Sequence, residues 1–217
     1  MAPDSHDPIE TLAEIRSLME RSSRFISLSG LSGVFAGIFA LVGAGVAFAY
    51  LGFSPFDGSN YVERGGVGPQ RWGMSPRLFF ALDALLVLAL ALGAGIYFTT
   101  RNAKAKGQAI FGPLTYRLLL NLAIPLVTGA AFCLALLTYG LAPLVAPTTL
   151  VFYGLALING SKYTLDDIRY LGLSEIGLGL LGLFVPGYGL ELWAIGFGVL
   201  HILYGLVMYK RYEKRAA

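Results

Sequence analysis

The chain has 217 residues, of which 56% are hydrophobic and only 13% charged, where a soluble domain carries about a quarter charged. Its 16 Lys and Arg against 13 Asp and Glu leave a formal net charge of +3. These figures exclude a disordered chain, a nucleic-acid binder and an ordinary water-soluble domain, and they indicate an all-α protein built for the lipid bilayer.

The first 24 residues are polar. They lack the basic start and short apolar stretch of a secretory signal, so the first span is expected to act as its own insertion signal. Asp7, Pro8 and Glu10 resemble a helix start. Ile9, Leu12, Ile15, Leu18 and Met19 then recur at three- and four-residue spacing, with Glu10, Glu14, Arg16, Glu20 and Arg21 on the other face. Residues 8–24 therefore read as a short cytoplasmic amphipathic helix. It either docks a protein partner or lies on the membrane surface or the chain's own loops.

A span needs about 20 apolar residues. Charge-free runs and Gly/Pro breaks give six, at about 27–51, 78–100, 118–138, 143–159, 170–185 and 190–209, in a transmembrane domain over 25–209 with a basic tail over 210–217. The double-length runs 118–161 and 170–209 are divided at Tyr139–Pro143 and Pro186–Gly189, because Gly and Pro interrupt helices. Asn159-Gly160 reads as the stop of the fourth span. With six spans, 13 of the Lys and Arg residues fall on the side of the termini and only Arg64, Arg71 and Arg77 on the other. The positive-inside rule then places both termini in the cytoplasm. The Asn159-Gly160-Ser161 sequon falls on that side and is silent. The loop 52–77, with Phe53, Phe56, Tyr61 and Trp72 among Gly and Pro, reads either as a cap over the helix ends or as a plain interfacial loop with aromatics at headgroup level.

Segments 24–39 and 169–184 align at a shift of 145 residues, and spans 2 and 6 end alike in Gly95…Arg101…Lys104 and Gly205…Arg211…Lys214. The expected arrangement is three helical hairpins. Ser29, Gly33 and Gly37 form a small-residue stripe that lets helices approach closely, either within the chain or in a homo-oligomer.

Ionisable groups inside a span are functional hypotheses. Asp83 and Glu191 lie near the outer ends of spans 2 and 6, where they reach the headgroup layer. Glu175 comes out level with His201 across the last hairpin. A Glu–His pair is a candidate proton site, because His titrates near neutrality and burial shifts Glu; the structural alternative is a satisfied interhelical hydrogen bond. Tyr204, one turn from His201, is a candidate third member, and Asn121 a further candidate path residue. Asn121 and Asn159 come out level across spans 3 and 4, which suggests interhelical amide bonding.

Gly177-Leu-Gly-Leu-Leu-Gly182 matches GxGxxG but lies mid-span with no preceding strand, so it reads as packing glycines. The single Cys133 and the two histidines, His6 and His201, provide no disulfide, metal cluster, intramembrane bis-His haem or catalytic motif. No cofactor is expected.

Met19-Glu-Arg-Ser-Ser-Arg-Phe-Ile-Ser-Leu-Ser-Gly-Leu-Ser-Gly33 resembles the start of a group of uncharacterised six-span bacterial membrane proteins, mostly of Bacteroidota type. The resemblance implies a bacterial cytoplasmic membrane and carries no activity. The expectation is thus a multi-pass membrane protein without a readable catalytic centre, which binds a partner or regulates. The alternative is a small permease or channel for a proton or small solute, using Glu175 and His201.

Overall fold

The computed structural model describes residues 28–52, 54–56, 71–107 and 112–214. The amphipathic helix expected over 8–24, most of the 52–77 loop and the last residues of the tail lie outside the described residues. Within them the chain is helical, with no strand and one isolated bridge between Arg71 and Met74.

The helices are α1 Gly30–Leu51, α2 Pro76–Ala105, α3 Pro113–Thr138, α4 Val145–Ser161, α5 Asp167–Phe184 and α6 Gly189–Glu213. A 3-10 turn Ala142–Leu144 leads into α4, and another, Pro186–Tyr188, leads into α6. Both Gly/Pro breaks therefore fall where the sequence puts them. At the first, Leu141 N–H bonds Leu136 O at 2.8 Å and Gly140 N–H bonds Leu137 O at 3.2 Å. This is the Schellman pattern, with Gly140 at φ +74 taking the left-handed position.

Five helical segments are long and apolar enough to cross a membrane: α1, α2, α3, Ala142–Ser161 and α6. The 18-residue α5 carries Asp167, Arg169 and Glu175 and is not among them. Several helices run beyond the expected spans. α2 starts at Pro76, with Ser75 accepting from Leu78 N–H, and continues to Ala105; α6 continues to Glu213. Helical hydrogen bonds continue past the apolar stretch, so charged residues such as Arg101 and Arg211 are still helical. The expected stop at Asn159-Gly160 also moves, because α4 passes through both to Ser161. Gly160 is needed for packing: a Cβ there would sit 2.8 Å from Leu122 Cδ2 of α3.

Close packing runs through glycine. Along the α1–α6 interface, a Cβ on Gly37 would lie 2.5 Å from Gly198 O and one on Gly205 would lie 2.6 Å from Gly30 O. Between α4 and α5 the relation is reciprocal: a Cβ on Gly154 would lie 2.5 Å from Gly172 O, and one on Gly172 would lie 2.8 Å from Gly154 O. Lipid is as apolar as Leu, so such backbone approach, gained through dispersion, holds helices together there. Of the three expected hairpins, α1 with α2 and α3 with α4 pack extensively, whereas α5 and α6 each pack more on another helix. α5 packs most extensively on α4, and α6 packs heavily on α1. Repeat-related glycines also have unlike surroundings: Gly205 abuts α1, whereas a Cβ on Gly95 would meet open space.

The end where α1 begins is fastened by α6. Glu213 accepts from Gly30 N–H at 2.6 Å and from Ser29 Oγ at 3.2 Å, a carboxylate placed on the positive end of α1. Arg211 bonds Asp167 of α5 at 3.1 Å. Residues 210–213 of the expected basic tail are thus the last turn of α6, with Arg211 and Glu213 engaged. At the opposite end Tyr50 stacks on Phe79 at 3.8 Å, Trp72 lies edge-on to both, and Tyr50 Oη donates to Met74 O at 2.9 Å.

Candidate functional site

The site lies where α4, α5 and α6 meet. Glu175 of α5 is fully buried and His201 of α6 is 6% exposed. Their side chains face each other, with His201 Nδ1 3.3 Å from Glu175 Oε1. The third member is Tyr153 of α4, whose hydroxyl lies 2.8 Å from His201 Nε2. Nδ1 also lies 3.0 Å from Gly196 O. Phe197 stacks on His201 and packs against Tyr153, and Trp193 packs on Phe197, so aromatic rings line one side of the junction.

Local winding places these groups. α6 is π-helical over Ala194–Leu200, immediately before His201. Such stretches are rare and concentrate at functional sites. Gly196 in this stretch has to lack a side chain, because a Cβ would lie 2.5 Å from Glu175 Oε2 and 2.6 Å from Leu150 Cδ2. The carboxylate therefore rests directly on the α6 backbone.

Both Glu175 oxygens are buried and without a hydrogen-bond partner. The Nδ1–Oε1 distance falls within ion-pair range, yet Nδ1 stands in hydrogen-bond geometry to Gly196 O and not to the carboxylate. A charged imidazolium–carboxylate bond would close to about 2.7–2.9 Å. An ionised carboxylate buried with no donor carries a large desolvation cost.

The other candidates lie elsewhere. Tyr204 packs with the apolar cluster of Leu157, Leu165, Ile168, Leu171 and Met208 and does not bond His201. Asn121 bonds back to Arg117 O of its own helix at 2.8 Å, and its backbone carbonyl accepts from Asn159 Nδ2 at 3.3 Å. The level pairing of Asn121 with Asn159 thus appears as a side-chain-to-backbone bond. The reason is Pro125: it has no N–H to give Asn121 O four residues back, and Asn159 supplies the missing donor. Glu191 is buried, and its Oε1 accepts from Phe56 N–H at 3.0 Å, holding the loop against α6. Phe56 and Trp72, in the described parts of that loop, have φ +69 and +51, a left-handed conformation that costs energy for bulky residues. Asp83 is half-buried about two turns into α2, facing Gly43 of α1. Ser29 caps α1, while Gly33 and Gly37 face α6, so the small-residue stripe is occupied within the chain. Within the GxGxxG segment, Gly179 and Gly182 pack on Pro147 of α4.

Sequence reasoning found Glu175 and His201 by depth and missed Tyr153. A phenol in an otherwise apolar span was the available signal, since a buried hydroxyl needs a partner. Among the described residues no group of three His, Cys, Asp or Glu that could hold a metal ion comes together. No family model, curated protein or solved structure matches the chain.

Proposed function

We propose that the chain is a six-span protein of a bacterial cytoplasmic membrane, with both termini cytoplasmic, whose α4–α5–α6 junction takes up and releases a proton in the work of a small permease. The charge distribution supports the topology, and the resemblance over Met19–Gly33 supports the location. The sixth span in this reading is α5, which at about 1.5 Å per residue is some 27 Å long, close to the hydrocarbon thickness. Its charged start is held near the interface by the Arg211–Asp167 pair.

The observation that carries the functional reading is Glu175, fully buried, without a donor on either oxygen, and 3.3 Å from a histidine. An ionisable group retained at that cost inside a membrane marks an ion or proton pathway more often than a structural contact.

The second reading is a partner-binding accessory protein working through residues 8–24. What favours it is the closure around the pair, with Glu175 without exposed surface. Infrared spectroscopy of the chain in lipid vesicles separates the two. The C=O band of a protonated acid should be present in the native chain and absent from Glu175→Gln. Transfer to D2O should shift that band within minutes if the site exchanges protons with water during opening. A band that never exchanges would leave Glu175 a sealed structural acid and favour the accessory role. The absence of any band assignable to Glu175 would sink the proton-site reading.

A further inference from the structure

We infer that Tyr153 is a positioning residue which, with the π-helical carbonyl of Gly196, holds His201 in its Nδ1–H tautomer, so that the ring always presents a donor to Glu175. The inference rests on the proton-site reading and specifies how the site is kept ready.

In an α-helix Gly196 O would accept from Leu200 N–H, four residues on. Leu200 belongs to the π-helical stretch, where amides reach one residue further back. The His201 N–H bonds Gly198 O. Gly196 O meets the His201 side chain, with Nδ1 3.0 Å away. A carbonyl can only accept, so Nδ1 carries the hydrogen. In the neutral ring Nε2 is then an acceptor, and at 2.8 Å the Tyr153 hydroxyl donates to it. Both ring nitrogens are satisfied in this form. The opposite tautomer would set a lone pair against the Gly196 carbonyl and an N–H against a hydroxyl that no longer has that acceptor.

The consequence concerns Glu175. The Nδ1 hydrogen lies between two acceptors, Gly196 O at 3.0 Å and Glu175 Oε1 at 3.3 Å. While Glu175 is protonated, the hydrogen rests on the carbonyl. When the Glu175 proton leaves to water, a small tilt of the ring brings the same N–H toward the carboxylate, with no 180° flip and no change of tautomer. The titratable groups facing Glu175 are His201 from α6 and Tyr153 from α4; α1 contributes none there, its single such side chain, Tyr50, being at the far end. With Phe at 153, Nε2 has lost its donor and Glu175 O–H can instead donate to an unprotonated Nδ1.

The test is solid-state nitrogen-15 NMR of the full chain in lipid with labelled histidine. The chain has two histidines, so His6→Gln leaves His201 as the single histidine signal. The expected native spectrum has a protonated Nδ1 and a bare, hydrogen-bonded Nε2. In Tyr153→Phe the Nε2–H form should appear, and the infrared C=O band of Glu175 should move to lower frequency as its O–H gains an acceptor. A native ring protonated at Nε2, or at both nitrogens, overturns the inference. So does a Tyr153→Phe spectrum that keeps Nδ1–H alone, which would make the Gly196 carbonyl sufficient. A Glu175 acid band that exchanges in D2O beside an Nε2–H ring would defeat this inference and leave the proton-site reading standing. If Glu175 has no acid band, that reading fails whatever the tautomer.

Discussion

Two of the polar contacts that join helices among the described residues differ in what is left over. Between α3 and α4, Pro125 removes one backbone donor, and Asn159 replaces it at Asn121 O. Every group there has a use, and the contact repairs a defect that its own neighbour created. Between α4, α5 and α6, Tyr153, His201 and Gly196 O satisfy one another, while Glu175 remains buried with neither oxygen bonded. The first contact answers to the helix hydrogen-bond pattern and is complete. The second keeps a group that the fold does not need. Buried polar groups are normally satisfied. The incomplete site is therefore where chemistry is to be sought.

The largest expected effect breaks the complete contact. Asn159→Leu should lower stability by about 1–3 kcal/mol, the cost of leaving the half-buried Asn121 carbonyl without its partner. Detergent-titrated or thermal unfolding in micelles measures it. Pro125→Ala restores an N–H to Asn121 O, and in that background Asn159→Leu should cost almost nothing. The coupling between the two substitutions, read as a double-mutant cycle, is the decisive quantity. Equal costs in both backgrounds would show that Asn159 serves something other than this carbonyl. Next in size is Tyr153→Phe, which removes one neutral hydrogen bond and should cost about 1 kcal/mol. Smaller again is Arg211→Ala. It breaks an ion pair whose Arg side chain is 59% exposed, and the loss should stay below about 1 kcal/mol and shrink with added salt.

Both contacts were half legible in the sequence. The breaks at Tyr139–Pro143 and Pro186–Gly189 fix which residues stand level in antiparallel helices, and that places Asn121 with Asn159 and Glu175 with His201. Depth follows from counting; rotation does not. Tyr153 sits on α4, two helical segments before His201, and nothing in the periodicity of an all-apolar helix says which way it points. The role of Pro125 was available, since it stands four residues after Asn121. The internal repeat was read too strongly, because shared Gly, Arg and Ser residues recur in unlike places: Ser29 meets Glu213, whereas its counterpart Ser174 bonds Tyr170 O of its own helix. The clasp of Glu213 on the start of α1 spans 183 residues and has no local signal at all.

The smallest expected change in stability belongs to Glu175→Met, and it tests the comparison most directly. The substitution keeps an unbranched chain of similar length beneath Gly196, a type of swap that usually costs little. It removes no hydrogen bond, because Glu175 accepts none, and both His201 nitrogens keep their partners. Replacing buried charged or polar groups by apolar ones of like shape is often neutral or stabilising. The variant should therefore unfold within about 1 kcal/mol of the native chain, and it should lack the exchangeable acid band. Asn159→Leu should show the reverse, an unstable protein with the band intact. A loss of several kcal/mol in Glu175→Met would mean that the acid holds α5 and α6 together through bonds formed in the bilayer. The two polar contacts would then be of one kind, both structural. Stability preserved with the band lost would leave proton exchange as the property for which a buried, unbonded carboxylate is kept at this junction.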